Sequence, residues 1–220
     1  QGSLAPEAMQ QMFAPFLGLI TRISHPGAEE QKKVAALYDS LMKLYDGGFS
    51  AAFHGGFQGH MLAGMLDAGK TQQLLASEEY LAVMQGQKFA NRDMTIEITP
   101  AAFEHRGTKM LRSRMTNDGA PNPVMPDGVL DTHFGVAGTY FAGTIGGKEA
   151  DAKAVIDAIA DQKVKREPLA GGAVLRVVVD IKAMMAMVRP GRPVPDDADI
   201  PGKFTLTLGK RDGALSLHLF

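Results

Sequence analysis

The chain has no cysteine, and that absence removes disulfides, thiolate nucleophiles and Cys-based zinc sites together. Tryptophan is missing as well. No apolar run reaches the roughly 18 residues that a helix needs to cross a bilayer, so no transmembrane segment is expected. A formal net charge of −1 gives no electrostatic reason to expect nucleic acid or an anionic membrane as partner. A chain without thiols suits an oxidising compartment. A periplasmic or cell-envelope location is therefore expected, with the cytoplasm as the alternative. The opening Gln1-Gly2-Ser3 (1–3) reads as the remnant of a cleavable tag and is set apart from the fold.

Two amphipathic helices come first, and residues 4–48 read as a helical hairpin. In 4–24, Met9, Met12, Phe13, Phe16, Leu17 and Ile20 recur at three- and four-residue spacing, with Pro15 bending the helix. In 25–48, Val34, Leu37, Leu41 and Leu44 form the apolar stripe and Gly47-Gly48 is the expected stop.

The remainder reads as strands alternating with helices. Strands are expected at 49–53 and 60–68, a helix at 70–86, and a strand at 93–105 that pairs back to 108–115 through Arg106-Gly107. Beyond a proline-rich loop at 117–128, strands are expected at 132–138 and 139–147 and a helix at 148–163. A β-branched strand at 173–181, a short helix at 182–188 and a hairpin at 203–220 turning at Asp212-Gly213 complete the chain.

This order occurs twice. "GHMLAGML" (59–66) aligns with "GTYFAGTI" (138–145), matching Gly59 with Gly138, Ala63 with Ala142 and Gly64 with Gly143 at an offset near 80 residues. Each segment runs into a helix that begins with a lysine, Lys70 or Lys148. The expected fold is α+β. The N-terminal helical hairpin is followed by two ββαββ repeats, 49–118 and 132–220, joined by a linker loop at 119–131. Together they make one compact domain, a mostly antiparallel sheet with helices on one face. In outline this resembles exported bacterial proteins built from duplicated sheet-and-helix units, a resemblance that carries no residue over.

Chemistry-bearing motifs are few. His54 and His60 flank the glycines of "HGGFQGH", but six-residue spacing suits neither a helical nor a strand metal pair. A third ligand would have to come from His105, His133, Asp131 or Glu104, so a hairpin turn carrying surface histidines is expected and no metal. "GMLDAGKT" (64–71) matches the phosphate-loop pattern GxxxxGK[ST] literally. There Gly64, Gly69 and Lys70 would cradle phosphates and Thr71 would face Mg²⁺. Against it, Met65 and Leu66 continue an apolar strand, and the sheet is antiparallel where phosphate-loop folds need a parallel core. Asp180, in "VVVD", is the nearest candidate for the Mg²⁺ partner.

Glu97 and Asp180 fall at similar places in the two halves and could line a cleft. Arg106, Lys109, Arg112 and Arg114 crowd one hairpin without interleaved aromatics, an ordinary charged surface rather than an RNA platform. Thirteen methionines read first as core filling. The expected function is binding of a protein or an apolar ligand, without cofactor, by a non-enzymatic exported bacterial protein. It would use an exposed sheet face or the space beneath the helical hairpin. The alternative is a nucleotide-binding enzyme using Gly64 to Thr71.

Overall fold

A computed structural model describes residues 2–3, 27–54, 58–85, 94–118, 125, 127–164, 173–180, 203–211 and 214–219. The chain begins with β1 (Gly2–Ser3), α1 (Ala28–Leu44), β2 (Tyr45–His54) and β3 (Gln58–Met65). Two short helices follow, α2 (Ala68–Leu75) and α3 (Glu78–Gln85), then β4 (Met94–His105), β5 (Thr108–Asn117), β6 (Val129–Ala137) and β7 (Tyr140–Ile145). The last elements are α4 (Glu149–Ala160), β8 (Ala173–Asp180), β9 (Lys203–Arg211) and β10 (Ala214–Leu219). The class is α+β: one 10-stranded sheet in the order β10-β9-β8-β1-β2-β3-β7-β6-β5-β4. Every neighbouring pair is antiparallel. Among the described residues no helix is long and apolar enough to cross a membrane. The expected helices at 4–24 and 182–188 lie outside the described residues.

Local chemistry explains the boundaries. Helix α1 ends before its glycines, because Tyr45 turns to extended backbone and is buried at 1% exposure. Gly47-Gly48 fall instead in a register shift between Tyr45 and Phe49, a bulge where glycine is tolerated. The helix expected over 70–86 is two helices. Ser77 Oγ donates to Leu74 O (2.7 Å) and accepts from Tyr80 N (3.2 Å), so it closes α2 and caps α3. The β4–β5 turn is the expected one: Arg106 and Gly107 both have positive φ, +48° and +76°, as a two-residue hairpin turn of this kind requires. Gly2-Ser3, set aside as a tag remnant, pairs between β2 and β8.

The helices do not share one face. Phe134 and Val136 of β6 pack with Leu37 of α1, Leu75 of α2 and Tyr80 of α3. Ala137, next along the strand, packs with Ala152 and Ile156 of α4. Successive strand residues point to opposite faces, so α1–α3 cover one face and α4 the other. The same split separates Leu111 from Met110 and Phe141 from Ala142. Strands β5, β6 and β7 are apolar at consecutive positions, the pattern of a sheet buried on both sides.

This also bears on the internal repeat. The central order β2-β3-β7-β6 sets two hairpins back to back. Antiparallel neighbours such as β3 and β7 can be exchanged only by a twofold perpendicular to the sheet, which preserves the faces. Ala142 pairs with Leu62, not Ala63, so the aligned residues Ala63 and Ala142 point to opposite faces. The helices that follow the two hairpins do the same. No twofold superposes the two hairpin–helix segments.

A candidate ligand cleft under the fourth helix

The face beneath α4 carries an unusual row. Cross-strand pairing aligns Thr99, Arg112, His133, Thr144 and His60 on β4, β5, β6, β7 and β3. Directly paired residues share a face, so five polar side chains run in a line across five strands. On one side lies an apolar row made by Phe103, Met110, Gly135, Ala142 and Leu62. On the other, Glu97, Arg114 and Asp131 stand opposite one another.

Three members of the polar row hold buried polar atoms without a partner: Arg112 Nε, His133 Nδ1 and Thr144 Oγ1. His133 is 5% exposed and Thr144 2%. Buried polar groups in folded proteins are ordinarily satisfied, so three in consecutive cross-strand positions single this row out as the candidate site. Two cavities open there. One, of about 370 Å³, lies between α4 and β3–β7 and is lined by His60, Leu62, Thr144, Val155 and Ala158. The other, of about 330 Å³, is lined by Arg112, Asp131, His133, Lys148 and Glu149. Gly147 borders both.

The ionisable groups sort themselves by partner. Arg114 grips Asp131 with two hydrogen bonds of 2.9 and 2.8 Å, and these hold the Asp131 carboxyl below its ordinary range. Glu149 meets Lys153 at 2.6 Å, which lowers its pKa too. Burial pushes the His133 imidazole down. Asp131 partly opposes that shift, and the nearby Arg112 reinforces it. Arg112 makes one hydrogen bond among the described residues, Nη2 to Thr99 Oγ1 at 3.3 Å, and forms no ion pair there.

The residues singled out from sequence are dispersed. Gly64 is the last residue but one of β3, Gly69 lies inside α2, and neither has positive φ. Asp67 caps α2: its Oδ1 accepts from Lys70 N at 2.9 Å and its Oδ2 lies 3.4 Å from Lys70 Nζ. Thr71 is fully buried, and its Oγ1 donates to Asp67 O at 2.8 Å. The amides of Met65 and Leu66 bond Thr139 O and Leu44 O. The chain's own carboxylate thus stands where the stretch would present its amides to a phosphate. In "HGGFQGH", His54 pairs with Gln58 and His60 with Ala52, a hairpin whose residues 55–57 lie outside the described ones. Among the described residues no three His, Asp or Glu side chains gather as a metal site.

Glu97 and Asp180 are not brought together, since six strands separate β4 from β8. In the basic hairpin, Arg106 pairs with Asp157 and Asp161, while Arg112 and Arg114 share the face under α4. Of the methionines, Met110 and Met125 are core, each 1% exposed, whereas Met9, Met12, Met184, Met185 and Met187 lie outside the described residues. The sequence reading missed the junction of Arg112, His133 and Thr144. Its trace was the polar parity of 131 and 133 facing that of 112 and 114 in an otherwise apolar pair of strands.

Compared with known proteins, the chain matches no family model, no curated protein and no solved structure.

Proposed function

We propose that the protein is a non-enzymatic binder of a small apolar or amphipathic molecule, held between α4 and the sheet. The observation that carries this is the cavity of about 370 Å³ walled by Leu62, Ala154, Val155, Ala158 and Val164. Its size falls in the range of small-molecule sites, roughly 300–1,000 Å³, and an apolar wall with polar anchors at Gln58, His60, Thr144 and Asp151 is the usual mix of such sites. The proposed site lies under α4, neither on an exposed sheet face nor beneath the N-terminal helical hairpin, the two places the sequence pattern suggested. The lack of cysteine suits an exported, envelope location, which fractionation of cells expressing the chain would check.

Decanol, a neutral single-chain probe, tests the reading. Binding raises the melting temperature as concentration exceeds Kd, by about 2.7 kcal/mol of stability at a hundredfold excess. Ala158→Phe, which fills the cavity, should abolish that rise while preserving the fold. A wild-type protein that decanol leaves unshifted at every concentration up to its solubility would sink the proposal.

A further inference from the structure

We infer that the cavity at Arg112 and His133 is the anion-binding end of this site and takes the carboxylate of a single-chain amphipathic acid. The inference rests on the reading above, because the apolar chain of that acid would occupy the neighbouring cavity. Gly147 borders both spaces, and His133, in the polar one, stands opposite Thr144, in the apolar one. Head and tail would therefore lie in adjacent spaces on either side of Gly147.

Uncommitted charge in the polar cavity is positive. Its two acids are already matched, Asp131 by Arg114 and Glu149 by Lys153. Arg112 forms no ion pair among the described residues, and its Nε is buried without an acceptor. His133 is 5% exposed and its Nδ1 also lacks a partner. A guanidinium offers parallel N–H donors that fit the two oxygens of a carboxylate. The acids at Asp131 and Glu149 oppose a second negative charge, which favours a carboxylate over a phosphate. A built receptor of this kind explains why the row carries unmet polar atoms between an apolar row and a row whose charges are already paired.

The test compares decanol, decanoate and decyl phosphate by calorimetry on the intact chain. Decanoate should bind at least tenfold more tightly than decanol, and on Arg112→Gln the two should bind alike. Arg112→Lys should keep part of the preference, since charge survives while the fork is lost. Equal affinity of decanol and decanoate in the wild type overturns the inference and leaves the apolar site standing. A preference that survives Arg112→Gln overturns it too, and decyl phosphate binding tighter than decanoate overturns the carboxylate assignment. Failure of all three to bind removes the underlying site and the inference with it. Because the wild-type comparison decides by itself, a misfolded variant would not rescue the idea.

Discussion

His105 Nε2 lies 2.8 Å from Asp157 Oδ1, although 52 residues separate the two in sequence. Arg106 Nε reaches the same carboxylate oxygen at 2.7 Å, and Arg106 Nη1 reaches Asp161 Oδ1 at 2.9 Å. The tip of the β4–β5 hairpin thereby holds the last turns of α4, the helix that lines the apolar cavity and whose first residue, Glu149, borders the polar one.

Replacing Asp157 with alanine removes the shared acceptor of this clamp. The groups are partly exposed, so the global stability loss should be small. The local effect should be larger: faster amide hydrogen exchange across 149–160 than across α1–α3. Uniform exchange in both regions would count against the clamp.

Leu75 and Ile156 are buried at 0% and 1% exposure, in separate clusters on opposite faces of the sheet. Each truncation to alanine should cost about 2–5 kcal/mol. The double variant should show the sum within roughly 0.5 kcal/mol, as non-contacting sites do. Denaturant melts of the four proteins check this, and strong coupling would argue that the two helical layers meet.

Asp67→Ala should lower the melting temperature slightly, through loss of the cap of α2. Mg-ATP should leave the wild-type melting curve unmoved, because Asp67 holds the Lys70 amide and ammonium and Thr71 is bonded and buried. A saturable shift that Lys70→Ala abolishes would restore the nucleotide reading.

His133 predicts a pH dependence with a definite sign. Its folded pKa lies below the ordinary value, chiefly from burial, so the unfolded chain binds the proton more readily. Stability is then highest above about pH 6.5, the unfolded value, and falls as pH drops from there toward the folded pKa. His133→Gln should flatten this part of the curve, as read from melts between pH 7.5 and 5. Asp131, held low by Arg114, acts in a more acidic window, losing its contribution as pH falls below about 3.8.

The amino-acid order by itself determined the elements and their local pairing. Alternation in 94–99, the Arg106-Gly107 turn and the apolar spacing of 28–44 are local signals, and each element stands near where they place it. Ser77 was legible too, as a hydroxyl before Glu78-Glu79, yet the helical spacing on either side hid the break. Only the tertiary structure decided which face each helix covers and that Thr99, Arg112, His133, Thr144 and His60 form one line. Side-chain parity is a property of each strand alone. The register between strands from distant segments, and the face over which each crossover passes, come from packing that no local propensity encodes.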